Sequence, residues 1–427
     1  MLESFYIISV SSRSFHRQNF IDGGSKTMWA LKKIWFRIFQ FFLTSAEYLM
    51  PWRQPERLDG PGSVKKLPSL IRSKGIDNVL IVTDAVLHRI GLLNSLFQAC
   101  EEAGLRYTLF DGAEPNPSIE NIEDARKLYV ENKCQGIIAF GGGSSMDCAK
   151  AAGARVVKPR QSISRMGGTL RVLKKIPPLF AVPTTAGTGS ETTIAAVVTD
   201  RKTHHKYAIQ DLCLIPRYAV LDPELTLGLP PHITSTTGMD ALTHAVEAYT
   251  NRLAPKSTDA LAVEAVRLIF DNLEKVYNDG SDIEARYNMQ LASFYAGAAF
   301  TRACVGYVHG IAHTLGGLYG TPHGLANAVI LPYVMEDFGS AVYFKLARLA
   351  EVVGINGKDD EEKAKAFIRE IRRMNKDMNI QDKFDFIRDE DIPQMIQWAM
   401  KEANPIYPVP VLWHEPEFQR TIARIRA

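Results

Sequence analysis

The chain has 427 residues, 46% hydrophobic and 23% charged, proportions of an ordinary globular protein that exclude the disordered, collagen-like and disulfide-scaffold classes. Fifty basic against 47 acidic residues leave a net charge of +3, too weak a field for a protein whose affinity rests on neutralising phosphates, so nucleic acid is not an expected partner. Cys100, Cys134, Cys148, Cys213 and Cys304 are odd in number, widely spaced and free of any CxxC pattern, which fits a reducing, cytoplasmic compartment.

At about 100–200 residues per domain, this length predicts two domains with an extra arm. The arm is residues 1–44. Within it, residues 28–43 (MWALKKIWFRIFQFFL) mix large apolar side chains with Lys32, Lys33 and Arg37, the pattern of a basic amphipathic helix. A membrane span needs about 20 mostly apolar residues, and the uncharged run from Ile38 to Ala46 is far shorter. No small-residue cleavage site marks a signal peptide. Three readings stand: the arm packs on the body or on another subunit, it makes a weak membrane-surface contact through residues 28–43, or Met28 is itself the true start.

From residue 45 to 228 short apolar runs alternate with helical segments. VLIVT (79–83), YTLF (107–110), GIIAF (136–140), PLFAV (178–182) and YAVL (218–221) suit parallel strands buried on both faces. Leu92, Leu93, Leu96, Phe97 and Cys100 between the first two runs, and Ile119, Ile122, Ala125, Leu128 and Tyr129 between the second and third, recur at helical spacing. The expected fold is therefore a doubly wound α/β domain, with ligands beyond the carboxyl ends of its strands. After Asp222-Pro223 and Pro230-Pro231 the strands stop. Residues 229–427 read as all helical; Leu261, Ala265, Leu268, Ile269 and Val276 form one stripe, with Ser257 or Thr258 as its expected N-cap.

Two loops follow predicted strands. Gly141-Gly142-Gly143-Ser144-Ser145-Met146-Asp147 leads into an Ala-rich helix carrying Lys150; glycine at a helix start lets a phosphate approach backbone N–H groups. A tight turn serving only helix–sheet packing is the alternative. Pro183-Thr184-Thr185-Ala186-Gly187-Thr188-Gly189-Ser190-Glu191 offers small donors of the kind a ribose or pyrophosphate needs, or is an ordinary Ser/Thr loop. Asp84, closing VLIVTD, and Asn116 in EPNPS belong to the same expected strand ends. A carboxylate there accepts ribose hydroxyls and repels a 2′-phosphate, which favours NAD over NADP.

In the helical half, Asp240 and His244 stand four apart in GMDALTHAVEAYT, on one helical face. His309, His313 and His323 follow in VHGIAHTLGGLYGTPHG. Asp240, His244, His309 and His323 make a plausible set for iron(II) or zinc(II), whereas any one of these histidines alone reads as a core residue. His313, one turn beyond His309, is a candidate proton relay or an orienter of the ligands.

GGGSSMDCAK, PTTAGTGSET, GMDALTHAVEAY and HGIAHTLGGLYGTPHGLANAVILPYV, in that order and at these separations, resemble the iron-containing (group III) alcohol dehydrogenases over roughly residues 45–427. The resemblance implies metal ligands at Asp240, His244, His309 and His323, a further site histidine at His313, and nicotinamide-cofactor contacts at Asp84, Asn116, Gly142, Gly143, Ser144, Asp147, Thr184, Thr185, Thr188 and Lys206. It implies a dinucleotide-binding α/β domain followed by a helical metal domain, with catalysis in the cleft between them. The expected reaction moves a hydride between NAD(H) and a small alcohol or aldehyde, the metal acting as Lewis acid, in a homodimer or higher homo-oligomer. Glycerol or diol oxidation is an alternative within the class. The dehydroquinate-synthase-like lyases share the architecture, but the resemblance there calls for Glu with two histidines and a basic phosphate cluster.

Overall fold

The computed structural model describes residues 22–201 and 205–427, with side chains from Met28 onward except that of His205. Among the described residues nine strands are formed: β1 (Glu56–Asp59), β2 (Asn78–Val82), β3 (Arg106–Phe110), β4 (Gly136–Gly141), β5 (Gly168–Thr169), β6 (Leu179–Pro183), β7 (Ala195–Asp200), β8 (His205–Gln210) and β9 (Tyr218–Leu221). Six of them make one parallel sheet in the order β1-β9-β6-β4-β2-β3. Its central register sets Ile81 beside Ile138 and Ile138 beside Phe180.

The continuous apolar runs of this sheet divide by the period of two into two cores. Leu80, Val82, Ile137, Ala139, Leu179 and Ala181 face the helices Ile119–Glu131 and Gly143–Val157. Val79, Ile81, Ile138, Phe140, Phe180 and Val182 face the helices Ser63–Ser73 and Asn94–Glu102. Burial on both faces is why none of the central strands alternates with polar residues. Strand order reverses between β2 and β4, so the crevice of a doubly wound sheet opens at their carboxyl ends.

Strand β1 and the antiparallel pair β7–β8 were not expected. β1 is a four-residue edge strand, Glu-Arg-Leu-Asp, and β7–β8 with β5 form a separate small sheet whose members carry Thr199, Asp200, Lys206 and Gln210. Neither has the apolar run that marks a strand buried on two sides.

From Pro231 onward the chain is helical, with one large core centred on the helices Pro231–Thr250, Lys256–Asn278, Ile283–Ala303, Tyr307–Tyr319 and His323–Phe338. The helix starting at Lys256 is capped by Pro255, not by Ser257 or Thr258: the Thr258 hydroxyl lies inside the first turn and donates to the Pro255 carbonyl at 2.7 Å. The sheet half and the helical half meet along the second loop. Gly189, at φ 59°, lies so close to Gly297 of the helix Ile283–Ala303 that a Cβ on Gly189 would sit 2.6 Å from the Gly297 Cα. Phe294 of the same helix packs on Ala219 and Leu221 of β9.

The arm forms a helix, Asp22–Tyr48. Residues 1–21 lie outside the described residues, so the expectations for that part of the arm and for a start at Met28 are not addressed by the fold. Among the described residues no helix is long and apolar enough to cross a membrane. All five cysteines are free.

Candidate active site

The parallel sheet brings the expected cofactor residues to one edge. Asp84 follows β2, Asn116 follows β3, Gly142–Ser144 follow β4, and Thr184–Thr188 follow β6, the carboxyl ends of four adjacent strands. Gly142 caps the helix Gly143–Val157, whose first turn directs free N–H groups into the crevice. The two loops are packed on each other: a Cβ on Gly143 would meet the Thr188 side chain at 3.0 Å, and one on Gly142 would meet Thr185 at 3.6 Å. The backbone N–H of Asn116 donates to Ser144 Oγ at 3.2 Å, joining the third loop to the first. Asp84 Oδ1 caps a short helix by accepting from Val86 and Leu87 at 2.9 and 3.0 Å, which fixes the carboxylate at the strand end.

Asp147 and Lys150 serve a different purpose from the rest of their motif. Both Asp147 carboxylate oxygens are engaged within the protein, Oδ1 by the Ser190 hydroxyl at 3.2 Å and Oδ2 by the Val197 N–H at 3.1 Å. Burial raises its pKa to about 6, against the pull of Lys150. Lys150 is fully buried and donates to oxygens of Ser190, Thr193 and Ala195 at 2.6–3.2 Å. Together they bolt the first helix to the second loop and β7. Asp147, expected at the cofactor, is therefore a brace behind the loop.

Across the seam, Asp240, His244, His309 and His323 each offer one ligand atom, and these atoms lie within 4.8 Å of one another. Asp240 and His244 come from the long helix Pro231–Thr250, buried continuously from Gly238 to Ala248, and His309 and His323 from the first turns of two successive helices. Burial lowers the pKa of His244, of His309 well below its ordinary value, and of His323 to about 4. All three imidazoles are thus neutral near pH 7, the form that binds a metal.

Three residues not singled out in the sequence complete this centre. Glu247 is buried beneath it and accepts from the N–H groups of Gly306 and Val308 and from His309 Nδ1, the last at 2.6 Å. Burial pushes Glu247 up to about 8 while these donors hold it down. With its Nδ1 committed, His309 presents Nε2 to the centre. Asn327, one turn after His323, places Nδ2 2.7 Å from Asp240 Oδ1 and 3.1 Å from Nε2 of both His309 and His323. Glu402 holds His313, its Oε1 lying 2.6 Å from Nδ1, and also accepts from the Tyr407 hydroxyl at 2.8 Å.

These contacts test the fit of a cation. The amide of Asn327 has two hydrogens for three converging acceptors, and the Asp240 carboxylate, 2% exposed, has no Lys or Arg against it among the described residues. A buried carboxylate and surplus lone pairs aimed at one point are the electrostatic complement of a divalent cation. The residues fit iron(II) or zinc(II).

His313 is outside this set. It stacks on His323 at 5.2 Å between ring centroids and is partly exposed. Burial alone would lower its pKa, but the charge and hydrogen bond of Glu402 outweigh this and raise it. Lys206 on β8 faces the same region, near enough for its charge to oppose that rise, and burial lowers its own pKa.

Residues 55–223 match the family described as "Iron-containing alcohol dehydrogenase", and residues 234–416 match "Fe-containing alcohol dehydrogenase family, C-terminal". The chain belongs to the iron-containing alcohol dehydrogenase family. This family member is 40% identical over 351 residues to 1,3-propanediol dehydrogenase of Citrobacter freundii, covering 81% of this chain and 90% of that one. It is 37% identical over 352 residues to NAD-dependent methanol dehydrogenase of Bacillus methanolicus, covering 82% and 92%. A crystal structure of a 1,3-propanediol oxidoreductase superposes with a TM-score of 0.84 at 35% identity, covering 88% of this chain and 100% of the other. The iron-containing alcohol dehydrogenase described here is thus an oxidoreductase that uses NAD and iron(II) on an alcohol or aldehyde.

Proposed function

We propose that the chain interconverts small primary alcohols or diols and their aldehydes, with Asp240, His244, His309 and His323 holding the metal and the loops after β2, β3, β4 and β6 holding NAD. The convergence of four ligand atoms within 4.8 Å around a buried carboxylate carries this reading. When bound, the divalent iron supplies Lewis-acid polarisation of the substrate oxygen and NAD supplies the hydride acceptor. The N–H groups at Gly142, Gly143 and Ser144 bind the diphosphate, Thr184, Thr185 and Thr188 position the remainder of the cofactor, and Asp84 accepts the adenosine ribose hydroxyls. Asn116 steadies the phosphate loop through Ser144. Lys206 lies close enough for its charge to reach His313, and would hold the cofactor on the side of the metal centre.

Within this reading Glu247 and Asn327 orient the ligands. Phe300, stacked on His244 at 4.2 Å, gives the centre an apolar wall that excludes water. His313 accepts the proton released by the alcohol and passes it outward, with Glu402 fixing its Nδ1. Residues 45–228 act as the cofactor domain and 229–427 as the metal domain.

The free cysteines support a cytoplasmic location. Self-association as a dimer or larger homo-oligomer is part of the same reading. The decisive experiment is NADH formation by the iron-reconstituted protein on a panel containing methanol, other primary alcohols, 1,3-propanediol, glycerol and choline. Turnover of the short alcohols and diols is expected; turnover of none of the panel in either direction would refute the assignment.

A further inference from the structure

The arm helix Asp22–Tyr48 is fastened to the body by polar contacts. Arg37 donates to the Val409 and Pro410 carbonyls at 2.8 and 3.0 Å, and Gln40, 1% exposed, donates to those of Pro405 and Tyr407 at 2.9 and 2.8 Å. Trp29 packs edge-on against His414 at 4.6 Å. These contacts fix the rotation of the helix, and the rotation they fix turns its apolar stripe outward. Leu31, Ile34, Trp35, Ile38, Phe41 and Phe42 are each 50–66% exposed. On a helix these positions share the side opposite Gln40.

We propose that this outward stripe is a docking surface for an anionic lipid bilayer, on which the enzyme lies as a peripheral protein. Two features select that occupant. The first is charge. From Met28 to Ala46 there is no Asp or Glu, and with Arg37 committed inward, Lys32 and Lys33 are exposed beside the stripe. Basic side chains flanking an apolar, aromatic-rich face are what an interfacial helix needs against anionic headgroups.

The second is shape: from Met28 to Tyr48 the stripe is the convex face of a single helix about 30 Å long and about 10–12 Å wide. A bilayer needs no complementary partner surface. With no helix among the described residues able to span it, the arm lies in the plane of the interface.

The test uses the full-length, iron-loaded enzyme in flotation with phosphatidylcholine vesicles, with and without phosphatidylglycerol. The wild type is expected to float with the phosphatidylglycerol vesicles, to bind neutral vesicles at least about tenfold less, and to be released by salt. The double variant Ile34→Glu, Ile38→Glu changes only exposed positions; it is expected to stay in solution with unaltered circular dichroism and unaltered NADH formation. Lys32→Glu with Lys33→Glu is expected to abolish the preference for phosphatidylglycerol. A wild type that floats with neither vesicle, or a double variant that floats as well as wild type, overturns the proposal. A wild type that does not float, with a double variant that lowers the oligomeric mass in light scattering, assigns the stripe instead to a second copy of the chain. Because dehydrogenase activity is read separately, failure here is distinct from failure of the assigned reaction.

Discussion

His309 Nδ1 and Glu247 Oε2 lie 2.6 Å apart in a fully buried pair, and the same carboxylate accepts the N–H groups of Gly306 and Val308. One acid thus fixes both the tautomer of His309 and the start of the helix that carries it. Glu247→Gln replaces one acceptor by an amide that faces a donor and removes the charge. We expect about 10–100-fold weaker metal binding, measured by chelator competition; affinity equal to wild type would show that Glu247 does not orient the centre.

His323 is the ligand most open to solvent, its side chain 40% exposed, so its truncation leaves no core cavity. His323→Ala is expected to lose bound iron and nearly all turnover while the thermal unfolding of the metal-free protein stays unchanged. Full metal content by elemental analysis would remove His323 from the ligand set.

His313 is held by Glu402 and is not one of the four converging ligands. His313→Ala should retain the metal and lower kcat by about 10²–10⁴-fold, the range of a general acid–base group. Loss of iron in this variant would make it a ligand, and unchanged kcat would leave it without a role in proton transfer.

Asp84 both caps a helix and presents charge at a strand end. Asp84→Ser keeps an acceptor for the cap, which an unsuitable residue would forfeit at about 1 kcal/mol, and removes the repulsion of a 2′-phosphate. The ratio of kcat/KM for NADP to that for NAD should rise about tenfold, or roughly 1.4 kcal/mol of discrimination. A wild-type enzyme that prefers NADP would contradict the role of this carboxylate.

Glu47, at the end of the arm helix, has its pKa raised by burial to about 7, with Arg302 opposing. The docked arm therefore favours the protonated acid. Its contribution is full below the ordinary carboxylate range and is lost as pH rises through about 7. Limited proteolysis of the arm should accelerate between about pH 5 and pH 8, and Glu47→Gln should remove the dependence. A cleavage rate that falls over that interval, after correction for the protease, would reverse the sign and refute this reading.

The architecture was legible in the sequence where burial leaves a local mark. Strands covered on both faces cannot afford polar alternation, so VLIVT, GIIAF and PLFAV announce themselves, and the glycines and small hydroxyls between them announce loops where something approaches the backbone. Asp240 and His244 were legible because four residues are one helical turn. Glu247 and Asn327 carried the same signal, three residues after His244 and four after His323, and were passed over because an isolated acid or amide on a helix ordinarily faces water.

Only the tertiary structure decided the rest. The pairing of Glu402 with His313 spans 89 residues, and no spacing encodes it. Asp147 sits in the glycine motif yet turns away from the crevice, because Ser190 and Val197, from elements distant in sequence, offer it two donors. The arm is the clearest case. Its sequence says that the helix is amphipathic and basic, but which side faces inward is set by the carbonyls of Pro405, Tyr407, Val409 and Pro410, which accept hydrogen bonds from Arg37 and Gln40 and so turn the larger apolar stripe outward.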